Sequence, residues 1–122
     1  MNWTSLLLVA VVVAVLLAMK RAGQISAKDA RAHLKNGALV IDVRSSGEFI
    51  SGHLSAAINI PLDEIETAMP RRVTDKNQVL LLHCQSGVRS ALAMRKLRKA
   101  DYVRVFNLGS YGRAESILER QQ

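Results

Sequence analysis

Cysteine is almost missing from this chain: Cys84 stands alone among 122 residues. One thiol excludes an internal disulfide framework, and a cysteine-based zinc site needs more ligands than it supplies. Aromatic side chains are scarce, with two Phe, two Tyr and one Trp. Surfaces on which bases could stack are correspondingly thin, so nucleic acid is not expected as a partner. Nothing in the pattern of His, Asp and Glu suggests a metal or a cofactor, and none is expected. No internal repeat appears. What is present is apolar, at 49% of residues, which argues against disorder and for one modest domain. Charge is one-sided, at +7. Without Lys20 and Arg21 the remainder still carries 15 basic against 10 acidic residues, an excess suited to small anions.

Residues 3–19 read WTSLLLVAVVVAVLLAM, a run without charge. As a helix it rises about 26 Å, close to the roughly 30 Å of a bilayer core. No basic residue precedes it and no small-x-small cleavage site follows it, so it reads as an uncleaved anchor rather than a signal peptide. The expected organisation is an anchor over residues 1–21, with the membrane contacted through residues 3–19, and a domain over residues 22–122. Lys20, Arg21, Lys28, Arg31 and Lys35 all follow the run. The positive-inside rule then predicts a single-pass protein with its domain in the cytoplasm, a reducing compartment suited to a free thiol.

Ala22-Gly23-Gln24 is a short linker, and Ile25 is a candidate for a short strand. Ser26 caps an expected helix from Ala27 to Asn36, stopped by Gly37. Leu39 to Val43 is a run fit for a strand buried on both faces. Ser45 or Ser46 caps a short turn holding Glu48 and Phe49. Ala57 to Ile60 is a strand stopped by Pro61, and Leu62 to Met69 is a short helix ended by Pro70. Gln78 to His83 is the central strand. The apolar spacing of Ala91, Leu92, Met94 and Leu97 predicts a helix from Ser90 to Lys99. Val103 to Phe106 is the last strand, Asn107 to Gly112 a loop, and Ala114 to Arg120 a closing helix. Strands alternating with helices predict an α/β fold with a mostly parallel central sheet, whose sites gather at the carboxyl ends of strands.

Cys84 falls at one such end. The stretch His83-Cys84-Gln85-Ser86-Gly87-Val88-Arg89-Ser90 hands a buried strand over to a helix N-terminus. Unpartnered N–H groups and the helix dipole favour an anion there, and a thiolate is an anion. Gly87 permits a backbone bend that bulkier residues resist, so that successive amides turn inward as a nest. Arg89 adds a planar fork of donors, and Ser90 a hydroxyl for the sulfur or for a cap. Cys84 is thus the candidate nucleophile, with Gln85, Ser86, Gly87, Val88, Arg89 and Ser90 as the substrate-binding loop. Asp42, Arg44 and His53 read as structural support beside it, and His33 as a boundary residue.

Taken with Asp42-Val43-Arg44, Glu48-Phe49, Gly52-His53-Leu54, Ala57, Asn59-Ile60-Pro61 and Asn107-Leu108-Gly109, this loop resembles the rhodanese-like sulfurtransferases from about Gln24 to Ile117. The resemblance implies an α/β sheet flanked by helices. It also implies that Cys84 takes a sulfane sulfur from a small anionic donor, thiosulfate or another persulfide. The Cys84 persulfide would then pass that sulfur to a thiol, to cyanide or to a protein acceptor. A non-catalytic or sulfur-carrying module is the alternative. The His-Cys…Arg-Ser pattern is also similar to cysteine phosphatases, but only four residues separate Cys84 from Arg89, one fewer than those enzymes use.

Overall fold

Four short, largely apolar segments of the chain become four parallel strands. In the computed structural model, which describes residues 2–21 and 23–119, the elements follow in this order. Helix α1 (Trp3–Arg21) and helix α2 (Ala27–Lys35) precede strand β1 (Leu39–Asp42), helix α3 (Ser46–Ser51) and strand β2 (Ala57–Asn59). A 3-10 turn (Leu62–Glu64) leads into α4 (Ile65–Arg72), β3 (Leu80–His83), α5 (Val88–Lys99), β4 (Val105–Gly109) and α6 (Tyr111–Glu119). The sheet order is β2-β1-β3-β4, with every pairing parallel.

Side chains alternate across the strands, and the alternation builds two cores. Ile41, Leu80 and Leu82 point to the face covered by Met69 of α4 and Met94 and Leu97 of α5. Val40 and Leu81 point to the face covered by Ala30 of α2 and by Ala114 and Ile117 of α6. Each buried Val, Leu, Ile or Met contributes about 1.5–3 kcal/mol by leaving water. The chain enters the sheet at β1, steps outward to β2, then reverses across β1 to β3. That reversal opens a crevice beyond the carboxyl ends of β1 and β3, the place where open α/β sheets hold their ligands.

The structure departs from the sequence reading at several points. Among the described residues no helix is long and apolar enough to cross a membrane. The uncharged part of α1 is 17 residues and ends at Met19, so its rise of about 26 Å stops short of a hydrocarbon core of about 30 Å. Helix α1 contacts α5 and β4 while staying exposed over residues 3–18, and Gly23 behind it leaves no room for a Cβ unless the Met94 thioether moves. The transmembrane anchor, membrane contact through residues 3–19, and the single-pass placement with a cytoplasmic domain are therefore withdrawn. Ala22 of the expected linker and Arg120 of the expected closing helix lie outside the described residues.

Pro70 does not end α4. Its ring is exposed, and the helix runs two residues further before the Val73 N–H closes it on the Met69 carbonyl at 2.8 Å. Residues 107–109, expected in a loop, extend β4. They pair with β3 through Leu82 and Asn107, then His83 and Gly109, with a slip of register between. Ile25 forms no strand of its own, although its N–H donates to the Asn107 carbonyl at 3.0 Å.

Candidate active site

Cys84 is the first residue past β3, and its side chain is fully buried on the α4–α5 face. The chain turns there because Gly87 adopts φ +99°, a left-handed conformation that glycine takes without strain. That bend aims the Gly87 N–H at Cys84 Sγ, 3.0 Å away. The Ser90 hydroxyl, in the first turn of α5, lies 3.6 Å from the same sulfur. Burial by itself pushes the thiol up. The Ser90 hydroxyl and the backbone amides of Ser90, Gly87 and Ser86 outweigh it, so Cys84 titrates below an ordinary cysteine. Gln85 and Ser86 are exposed, Val88 is half-buried, and the Tyr111 N–H donates to the Gln85 carbonyl at 3.2 Å.

Asn107, buried in the middle of β4, ties this loop to the sheet. Its Oδ1 accepts from the Ser90 hydroxyl at 2.6 Å and from the Gly109 N–H at 2.8 Å, while its Nδ2 donates to the Gly87 carbonyl at 3.2 Å. The amide can face only this way, because the reverse orientation would set donor against donor.

Arg89 is the second residue of α5 and is about one-third exposed. Its fork closes on Glu48 of α3, with Nη1 donating to Oε1 at 2.6 Å and Nη2 to Oε2 at 3.0 Å. Glu48 also forms a capping box with Ser45, accepting from the Ser45 N–H at 3.2 Å while Ser45 Oγ accepts from the Glu48 N–H. The Arg89 guanidinium, followed by the Ser45 donors, holds the Glu48 carboxyl down at about 2.

Beneath the loop, Asp42 and Arg44 form a buried ion pair at 2.8 Å. Arg44 Nε bridges both carboxylate oxygens, its backbone N–H donates to Oδ1 at 2.9 Å, and Nη2 also donates to the Gly52 carbonyl at 2.7 Å. The Tyr111 ring lies under its guanidinium, 4.8 Å from the ring centre. His83 is fully buried, and burial pushes its imidazole down toward the neutral form. Nδ1 faces the Cys84 carbonyl at 3.3 Å, which assigns the proton to Nδ1, because a carbonyl only accepts. His53 stacks on Phe49 and meets the Phe49 carbonyl at 2.9 Å through Nδ1, a contact within α3 and its end.

The fold therefore brings Asp42, Arg44 and the residues from Cys84 to Ser90 to one crevice, and leaves His53 exposed at its edge. Sequence reading gave no role to Glu48, Asn107 or Tyr111. The Ser-x-x-Glu spacing of a capping box was visible for Glu48. An asparagine inside an otherwise apolar run was the available signal for Asn107.

A family model described as "Rhodanese-like domain" matches residues 26–112. The chain is 41% identical over 71 residues to "Uncharacterized protein YqhL" of Bacillus subtilis (strain 168), covering 58% of this chain and 55% of that one. It is 36% identical over 69 residues to "Thiosulfate sulfurtransferase PspE" of Escherichia coli (strain K12), covering 57% and 66%. The match thus spans between about half and two-thirds of these curated relatives. A solved human structure, "Human Single Domain Sulfurtranferase TSTD1", superposes with a TM-score of 0.65 at 28% identity, covering 78% of this chain and 96% of that chain.

Proposed function

The chain belongs to the rhodanese-like domain family, and from that premise we propose that it is a sulfurtransferase working through a persulfide on Cys84. The observation that carries this reading is the buried sulfur that accepts the Gly87 N–H at 3.0 Å. A thiolate held by fixed amides is an ionised nucleophile that needs no separate base, and the same amides stabilise a persulfide anion after transfer.

The first half-reaction is an attack of the Cys84 thiolate on the sulfane sulfur of a donor. The new bond joins Cys84 Sγ to that sulfur. The old bond to the donor breaks, and its electron pair leaves with the donor remnant: sulfite from thiosulfate, or a thiolate from an organic persulfide. In the second half, a thiol or cyanide acceptor attacks the outer sulfur. The sulfur–sulfur bond breaks and its electron pair returns to Cys84. A protein thiol serves as acceptor by the same step.

The remaining residues of the site fall into positions around this chemistry. Gln85, Ser86, Gly87, Val88 and Ser90 form the cradle. Asn107 holds the cradle against β4, and the Asp42–Arg44 pair braces it from below. Intact mass spectrometry after incubation with a sulfur donor is the direct test. The wild-type chain gains about 32 Da, the mass of one sulfur atom, and Cys84→Ser gains nothing. An adduct of that mass on the serine variant would overturn Cys84 as the sulfur carrier.

A further inference from the structure

The chain carries a net charge of +7, yet its active-site loop is nearly neutralised. Both guanidiniums that the fold brings to the loop are held by carboxylates. Arg44 is bound to Asp42, and Arg89 is bound by both its terminal nitrogens to Glu48. The exposed loop residues, Gln85 and Ser86, carry no charge. A cleft of about 420 Å³ opens beside Arg89, with Ser45 on its wall, and its other charged residues also nearly cancel. Lys96 there is paired with Glu66 at 3.2 Å, and Asp63 is acidic. An incoming donor therefore meets the negative sulfur of Cys84 with little free positive charge to offset the repulsion.

Resting on the sulfurtransferase reading, we infer that Glu48, by occupying the Arg89 fork, makes this site select a sulfane-sulfur donor of low charge over a dianion. The preferred class is an organic persulfide or a thiosulfonate monoanion, and thiosulfate is the disfavoured case. For a persulfide, the Cys84 thiolate and R–S–SH give Cys84–S–SH and R–S⁻. For a thiosulfonate, the thiolate and R–SO₂–S⁻ give the Cys84 persulfide anion and the sulfinate R–SO₂⁻. Thiosulfate reacts in the same way but brings one more negative charge. Glu48 acts here through Arg89 and is a positioning residue.

Thiosulfate and methanethiosulfonate are suitable probes, because they share the sulfonyl sulfane sulfur and differ by one charge. The full-length chain is assayed for kcat/KM with each, using cyanide as acceptor and reading thiocyanate. The wild type favours methanethiosulfonate. Glu48→Gln keeps an oxygen for the Ser45 cap but removes the charge that ties up Arg89. It shifts the selectivity ratio toward thiosulfate about fivefold at low ionic strength, as expected for one freed charge acting near the donor. The shift shrinks at about 0.5 M salt, where screening is strong. Arg89→Gln leaves the Glu48 carboxylate unpaired and moves the ratio the opposite way.

A selectivity ratio unchanged in both variants overturns the role of Glu48, as does a ratio that moves against these signs. Sulfur loading of Cys84 in the same samples, read by mass, separates that result from the failure of the broader reading. If neither donor loads the wild type, both fall. If loading is normal and only the ratio is unmoved, only the inference about Glu48 falls.

Discussion

Ser90→Ala is the substitution that most directly probes how the sulfur is kept charged. The Ser90 hydroxyl has one hydrogen and three acceptors around it: Asn107 Oδ1 at 2.6 Å, the Gly87 carbonyl at 3.1 Å and Cys84 Sγ at 3.6 Å. With the thiol neutral, the hydrogen belongs to Asn107, the nearest. Once the sulfur is charged, turning the hydroxyl toward it exchanges the bond to Asn107 Oδ1 for a charge-assisted one, a net gain of about 1 kcal/mol. Removing the hydroxyl therefore lowers the ratio of thiolate to thiol about fivefold. Little else is lost, because Asn107 Oδ1 keeps the Gly109 N–H and the Gly87 carbonyl keeps Asn107 Nδ2.

The assay is ultraviolet thiolate absorbance against pH, with Cys84→Ser subtracted, which reads a single site because the chain has one cysteine. The wild-type curve rises at lower pH than that of a free cysteine, and the Ser90→Ala curve lies to its right. Stability follows the same sign. The folded thiol releases its proton at lower pH than the unfolded one, so the unfolded chain binds more protons in between. The wild type therefore gains stability as pH rises from the folded value toward the unfolded value of about 8.5, and the gain is lost as pH falls back through the folded value. Ser90→Ala loses part of that gain. Superimposable titration curves for the two proteins would refute the hydroxyl's contribution and leave the backbone amides as the cause.

Two further substitutions test what holds the site in place. Asp42→Asn strands the buried Arg44 guanidinium without a counter-charge, a loss of about 3–5 kcal/mol. A Tm drop of roughly 10 °C or more is expected, and a melt within about 2 °C of the wild type would contradict it. Tyr102→Phe removes a hydroxyl that donates to the buried Val73 carbonyl. It should cost about 1–2 kcal/mol and lower the urea midpoint with the m-value unchanged, whereas an unmoved midpoint would show that water takes the place of the hydroxyl.

The fold was readable from the sequence where local pattern decides it. Leu80–Leu81–Leu82 is apolar at every position, so a strand there has to be covered on both faces, which points to a parallel sheet between helix layers. The spacing of Ala91, Met94 and Leu97 marks one helix face, and it places Cys84 at the hand-over between strand and helix. The nucleophile follows from its position there and from Gly87, whose freedom to turn is a property of the residue itself.

The elements read incorrectly were those decided by distant partners. Residues 107–109 extend a strand because β3 lies alongside them, and an isolated Asn-Leu-Gly carries no sign of that neighbour. The apolar run before Lys20 has the hydropathy of an anchor, but no helix among the described residues is long and apolar enough to cross a membrane. The chemistry divides along the same line. The sequence alone determined that one sulfur would sit on a helix N-terminus. Tertiary structure decided the charge around it, since Glu48 and Arg89 are 41 residues apart in the chain and only the packing of α3 against α5 brings a carboxylate to that guanidinium. The turn at Gly87 is a property of the residue itself, whereas the charge around the sulfur is set by neighbours in space.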